Sequence, residues 1–382
     1  MATQRQSQSE SQSKPIKSDR LMSLDALRGF DMLWIMGGNR IIIALADLTG
    51  FAIFTWTAKH MHHAEWDGFR FYDMIFPLFL FIAGVSMPFS FAKRKAKGET
   101  MQKIYRHVFQ RMITLVIFGI IYNQFLQFDW GNIRYASVLG RIGLAWFFAA
   151  LIVLNSKPKW WYVWLSGILI FYWAIMMLIP VPGFGAGNLT MEGSLAGYID
   201  RLLLPGRLYK EVHDPEGILA TIPAIATALL GALAGNFLRM PDQQISRLKK
   251  GLWIGAAGIL SLGVGWLWGQ IFPINKNLWS SSFVLYAGGW SLLLLSLFYL
   301  IIDVWGWRKW AFFFIVIGLN SITIYMFQAG IINFRSSTMF FFGGIIKSFA
   351  ENWQPLIGAI AYTTVCWVFL YILYRKKIFL KV

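Results

Sequence analysis

Cysteine occurs once in the 382 residues, at Cys366, so no internal disulfide framework can form. Charge is also scarce. Asp, Glu, Lys and Arg make up 14% of the chain, against 57% hydrophobic and 17% aromatic residues, with a mean hydropathy of +0.54. A soluble protein of this length would carry far more charge. Acidic residues are the scarcer sign, 18 against 35 basic, for a formal net charge of +17. That excess would suit nucleic acid, but the basic residues sit in short loops between apolar runs, where they report membrane topology instead. No nucleic-acid partner is expected. The opening "MATQRQSQSESQSKPIKSD" lacks the short apolar core and small-residue cleavage site of a signal peptide. It reads as a disordered polar tail over residues 1–19, with the first apolar segment retained. No internal repeat is visible, which withholds support from an inverted-repeat transporter.

What the chain does have is apolar runs near twenty residues long, spread over its whole length. They define the fold class as all-α, a polytopic helical membrane protein of about ten transmembrane helices in a single domain over residues 20–382. The expected spans are 22–47, 70–92, 102–126, 137–155, 159–180, 217–238, 251–272, 279–303, 309–330 and 353–374. The longest connections are 48–69, 181–216 and 331–352. Most Lys and Arg fall in one set of alternate loops: the N-tail, 93–111, 157–159, 239–250, 308–309 and the C-tail. The opposite set holds only Lys59, Arg70, Arg134, Arg201, Arg207, Lys210, Lys276, Arg335 and Lys347. By the positive-inside rule both termini are cytoplasmic and the three long connections face outward.

Three of the five histidines, His60, His62 and His63, lie in the first outward connection, "WTAKHMHHAEWDG". They are open to three readings: a metal site, solvated loop residues, or a catalytic imidazole, which can titrate near working pH. Adjacent histidines without a second Cys/His cluster argue against metal, and none is assigned. Asp67 or Asp73 could fix the tautomer of a catalytic imidazole, although Asp73 in the first turn of its helix also complements the helix dipole. In the first span Asp25, Arg28, Met32, Ile35 and Asn39 share one helical face, either as a snorkelling pair or as one wall of an internal channel with Asn39 near its outer mouth. Arg141 and Asp303 are placed towards the inner side, where Arg141 either snorkels or meets an anionic ligand. Asp214 and Glu216 of "HDPEG" either cap the next helix or hold a cationic amine or a hydroxyl-rich sugar.

The segments "RLMSLDALRGFDMLWIMGGN", "HHAEWDGFRFYDMIFPLFLFIAGVS", "GYIDRLLLPGRLY", "DPEGILATI", "INKNLWS" and "GLNSITIY" resemble, in order, the heparan-α-glucosaminide N-acetyltransferase family of transmembrane acyltransferases. The resemblance runs from about Arg20 to the C-terminus. It implies acetyl transfer from cytoplasmic acetyl-CoA to the amine of a terminal glucosamine-type sugar across the membrane. It also implies His63 as the active-site histidine, in an H-A-x-W-[ND]-G context that includes Trp66 and Asp67. Asn39 matches the family's active-site asparagine, and Asp73 its carboxylate ten residues past the histidine. Gly140 stands where the family's "VLQR" has glutamine, next to Arg141. The chain is expected to lack the large extracytoplasmic domain that precedes the first motif in animal members, so heparan itself need not be the acceptor.

In that scheme His63 accepts a proton from the attacking amine, Asp73 supports it and Asn39 donates to the carbonyl oxygen. The alternative is an acetyl-histidine relay. Arg28 and Arg141 are placed near the acetyl-CoA phosphates by position. Trp66, Asp67, Asp214, Glu216, Asn275 and Lys276 are placed on the acceptor side. The expected setting is a bacterial inner membrane with the active-site mouth facing the periplasm, lipid around the helices, and surface enough for a homodimer. A proton-coupled transporter of an amino sugar is the rival reading.

Overall fold

The computed structural model describes residues 21–123 and 132–380. The polar tail assigned to 1–19 lies outside them. The described residues are all-helical, with nine helices long and apolar enough to cross a membrane and one further span broken in two. In chain order the spans are α1 (Met22–Thr49), α3 (Phe71–Ala96), α4 (Met101–Tyr122), α5 (Val138–Asn155), α6 (Pro158–Leu178), α8 (Thr221–Leu238), α9 (Arg247–Trp268), α10 (Ser281–Val304), the bent pair α11 (Ala311–Leu319) and α12 (Ser321–Ile331), and α14 (Gln354–Arg375). Short helices α2 (Ala52–His60), α7 (Leu195–Leu203) and α13 (Phe334–Ser348) lie in the three long connections. Those connections were expected as loops. Local caps explain two of them: the Ser194 side chain accepts from the Gly197 amide, and the Asn333 side chain from the Ser336 amide.

Two spans depart from straight helices at identifiable residues. α1 passes through a π-helical turn at Trp34–Gly38, where Gly37 takes φ 138, a conformation glycine alone adopts cheaply. The ninth expected span is bent by 66° between α11 and α12, at Asn320. The Asn320 amide donates to the Ile378 carbonyl at 3.0 Å. Its side-chain oxygen also accepts from the Leu380 amide at 3.4 Å, so the residue at the break ties the C-terminal segment to the bundle.

Small residues let the helices approach closely, as packing within a bilayer requires. A Cβ at Gly84 of α3 would run into the Ala228 carbonyl of α8, and one at Gly231 into the Phe81 carbonyl. Gly29 and Gly318 do the same between α1 and α11. Buried tryptophans find polar partners: the indole of Trp146 donates to the Ala83 carbonyl at 3.2 Å and that of Trp279 to Thr227 Oγ1 at 3.1 Å. Large apolar side chains such as Phe171, Leu260, Trp266 and Phe340 point outward instead, which an aqueous surface would penalise and lipid would not. The protein is an integral membrane protein. Alternating span directions bring residues 50–70, 132–137, 179–220, 269–280 and 332–353 to one end of the bundle, and that end carries the site.

Candidate active site

His63 follows α2 in the segment leading to α3. Its Nδ1 lies 2.7 Å from Asp73 Oδ1. A carboxylate only accepts, so Nδ1 carries the hydrogen and Nε2 keeps its lone pair. The other Asp73 oxygen, Oδ2, accepts the backbone amides of Ala64 at 3.1 Å and Arg70 at 3.0 Å. Asp73 is therefore a helix cap and a histidine partner at once, one oxygen for each. Arg70 closes the loop from the other side, its guanidinium donating to the His63 carbonyl at 2.9 Å. Asp73 is buried while the His63 side chain stays 50% exposed, so a fixed carboxylate orients an accessible imidazole. The Tyr72 ring packs on the imidazole with centroids 4.9 Å apart.

Lys276 reaches the same imidazole from a segment more than two hundred residues away. Its Nζ lies 3.0 Å from Nδ1 and 3.2 Å from Nε2 of His63, and 3.8 Å from Asp73 Oδ1. A tight turn aims it there. The Asn275 side chain accepts from the Leu278 amide at 2.9 Å, and Trp279 adopts φ 51, a left-handed conformation costly for a bulky residue. Asn275 also donates to Asp67 Oδ1 at 3.0 Å, and the Gly68 amide donates to the Ile274 carbonyl at 2.8 Å. These bonds tie the 269–280 turn to the histidine loop. Burial lowers the proton affinity of Lys276, an effect partly reversed by the Asp73 charge.

His63, Asp73 and Lys276 line a cavity of about 560 Å³, within the range typical of small-molecule sites. Its body is apolar, built by Met32 and Ile35 of α1, Ile75, Phe76 and Phe79 of α3, and Val138, Leu139 and Ile142 of α5. Its polar groups include Arg134, Tyr209, Glu216 and Asn277, which join His63, Asp73 and Lys276. Tyr122 and Tyr325 stack beside it, centroids 4.3 Å apart.

A second charged cluster braces the site. Arg134 makes a bidentate pair with Asp214, Nε to Oδ2 at 2.8 Å and Nη2 to Oδ1 at 2.6 Å, and also contacts Glu216. Asp214 further accepts the amides of Tyr209 and Glu216 at 3.0 Å and 2.9 Å. Burial would raise the Asp214 carboxyl, but the Arg134 hydrogen bonds and charge hold it below the usual carboxylate range. Neighbouring His213 is buried, its Nε2 donates to the Asn277 carbonyl at 3.1 Å, and burial pushes the imidazole down to about 4. Asp200 is pushed up to about 7 by burial, with one oxygen on the Ile218 amide at 2.9 Å.

A family model described as a domain of unknown function (DUF5009) matches residues 20–128. Across nearly the whole chain, two curated proteins align with it. Heparan-alpha-glucosaminide N-acetyltransferase of Homo sapiens is 29% identical, covering 95% of this chain and 60% of the human protein. The Mus musculus protein of the same name is 28% identical, covering 85% of this chain and 56% of its own length. The chain is similar to the heparan-alpha-glucosaminide N-acetyltransferases over most of its length. It spans less than two thirds of the length of those relatives.

The remaining site candidates separate. His63, Asp73, Glu216 and Lys276 line the cavity. Trp66 and Asp67 stand behind its rim, Trp66 donating to the Leu189 carbonyl at 2.9 Å and Asp67 held by Asn275. Asp214 is fully buried and saturated by its partners, which makes it a strut between loops and not part of the cavity wall. Asn39 follows the Gly37–Gly38 break, and its side-chain oxygen accepts the Arg40 amide at 2.9 Å. Asn39 does not line the cavity.

Arg141 was expected towards the inner side. It lies instead in the first turn of α5 at the His63 end, because α4 crosses towards that end and α5 starts from it. Its guanidinium donates to the Gly217 carbonyl at 3.1 Å and packs over the Trp279 ring at 5.1 Å. Arg28 is in the opposite half, near Asp25 and Ser86 at 3.5 Å and 3.4 Å. The structure therefore does not bring Arg28 and Arg141 together. His60 packs on Trp56, with ring centroids 4.5 Å apart, and His62 is exposed. Among the described residues no three His, Cys, Asp or Glu side chains gather as a metal site. Residue types alone gave no signal for Arg134 and Tyr72, since neither falls in a motif with a stated role.

Proposed function

We propose that the protein transfers acetyl from acetyl-CoA, supplied at the cytoplasmic side, to the amine of a terminal glucosamine-type sugar at the His63 end. The observation that carries this reading is the Asp73-oriented imidazole on the wall of a largely apolar cavity. The names of the two relatives give the reading its reaction class. Amide formation from a thioester needs a neutral amine, a base for its proton and donors for the developing oxyanion. The amine nitrogen attacks the thioester carbonyl carbon, its proton passes to His63 Nε2, and the C–S bond breaks as CoA departs and takes up a proton. Asp73 holds the imidazole in the tautomer that leaves Nε2 free and stabilises the imidazolium that follows. Asn39 is our candidate oxyanion donor, after a side-chain movement away from the Arg40 amide. Glu216 and Asn277 face the acceptor at the cavity wall, with Trp66, Asp67 and Asn275 fixing the loop behind them. Arg28 is the remaining candidate for the CoA phosphates, and Arg141 a support for the loop at Gly217.

The charge bias of the loops supports cytoplasmic termini and a His63 end on the far side of the membrane, which in a bacterium is the periplasm. The exposed aromatic belt supports contact with lipid and leaves room for a second copy. The test is N-acetylation of glucosamine and short amino-sugar oligosaccharides by purified protein supplied with acetyl-CoA. Acceptor-dependent release of CoA thiol is the expected result. Solute uptake into vesicles without acetyl-CoA consumption would establish a transporter instead.

A further inference from the structure

The catalytic base already has a primary amine against it. With Nδ1 committed to Asp73, His63 Nε2 keeps the lone pair, and Lys276 Nζ lies beside the imidazole, 3.0 Å from Nδ1 and 3.2 Å from Nε2. An acceptor amine must approach that same lone pair to deliver its proton. Lys276 is not a loose surface lysine: the Asn275 and Trp279 turn fixes its backbone, and its side chain lines the cavity beside the base. Burial favours its neutral form, the form in which an amine is nucleophilic.

We propose that Lys276 is an acceptor surrogate and becomes acetylated on Nζ when an acetyl thioester is bound and no amino sugar is present. The inference rests on the proposed acetyltransfer. Lys276, having released its ammonium proton to solvent, attacks the thioester carbonyl carbon. An N–C bond forms and the C–S bond breaks. The proton lost from nitrogen passes to His63 Nε2 and then to the departing thiolate, which leaves as CoA thiol. The product is a neutral acetyl-lysine at the acceptor position, which removes a cation from the site and obstructs the base. Sugar acceptor and Lys276 compete for the space beside one imidazole, so an acceptor protects the enzyme from its own donor.

The full chain, purified in detergent, is incubated with isotopically labelled acetyl-CoA with and without glucosamine. Peptide mass spectrometry then locates the label, and CoA thiol and N-acetylglucosamine are measured in parallel. The proposal expects label on Lys276 in the absence of glucosamine, suppressed when glucosamine is added. It also expects a loss of about a hundredfold in labelling rate in His63→Ala, the scale of removing a general base. Lys276→Arg should carry no label at that position. Label spread equally over Lys276, Lys210 and Lys59 would mean solution chemistry and overturn the proposal. Glucosamine acetylation with Lys276 unlabelled would overturn it and leave the proposed function standing. Neither acetylated sugar nor labelled lysine would overturn both.

Discussion

At the His63 end of the bundle, charged and polar groups pair across long stretches of chain; at the opposite end they pair mainly with near neighbours. Arg134 and Asp214 are 80 residues apart and partly buried, and Lys276 and His63, 213 apart, meet at the rim beside the buried Asp73. At the other end Arg94 meets Glu99 at 2.7 Å, Arg247 meets Asp242 at 2.7 Å and Arg28 meets Asp25 at 3.5 Å, all within five residues. Lys250 extends the Asp242 pair, also at 2.7 Å. Local exposed pairs contribute little to stability, because water screens them and long side chains lose entropy to form them. Long-range buried pairs contribute differently: once one partner is removed, the other is left charged without solvent. One end of the molecule uses its charges to hold loops in a fixed relation, and the other mainly decorates short turns.

The largest effect that would sharpen this contrast concerns chemistry. His63→Ala should lower the rate of acetyl transfer by about 10² to 10⁴-fold, the usual contribution of a positioned acid–base group, with folding intact because the side chain is half exposed. Asp73→Asn should lower the same rate and destabilise the start of α3, since one substitution removes both a histidine partner and a cap. Turnover together with thermal unfolding separates the two effects, and full turnover in either variant would break the assignment.

Next is the Arg134 strut. Arg134→Ala should destabilise the protein by about 3–5 kcal/mol, because Asp214 and Glu216 would remain buried without their partner. Loss of less than about 1 kcal/mol would erase the distinction between the two ends. Detergent-solubilised thermal unfolding of the variant gives the answer.

A smaller effect is tied to pH. The Asp200 carboxyl titrates near 7 when folded, against an ordinary value of 3.8. Folding therefore favours its protonated form, so its contribution is fully present below about pH 4 and is lost as pH rises towards 7. The scale is on the order of 1.4 kcal/mol per pH unit in that window. His213 acts in the opposite direction: its folded value of about 4 lies below the ordinary 6.5, so stability falls as pH drops through that interval. Asp200→Asn should flatten the Asp200 component and leave that of His213. An unchanged slope of unfolding midpoint against pH between 4 and 7 would contradict the buried environment of Asp200.

The smallest effect belongs to the opposite end. Glu99→Ala, which removes a partly buried partner of Arg94 five residues away, should change stability by about 1 kcal/mol or less.

Much of this architecture was legible from residue order because a bilayer forces it. Backbone groups in hydrocarbon must bond within their own segment, so apolar runs of span length become helices, and the all-helical bundle with nine spans and a broken tenth follows. The break at Asn320 was not legible: apolar composition continues through it, and its side chain bonds Ile378 and Leu380, about sixty positions away. Arg141 was misplaced in depth, although span order alone sets its end of the bundle. At the site, the resemblance in "HAEWDG" singled out His63 and the ten-residue step to Asp73. The double duty of Asp73 needed coordinates, since each of its oxygens faces a different partner. Lys276 stood in a quoted motif, yet nothing in residue spacing places its amine on an imidazole 213 positions away. Sequence by itself determined the helices and their approximate number, because these depend on local composition. Tertiary structure alone decided which charges meet, because pairing at the His63 end is set by loops that converge only once the helices have packed.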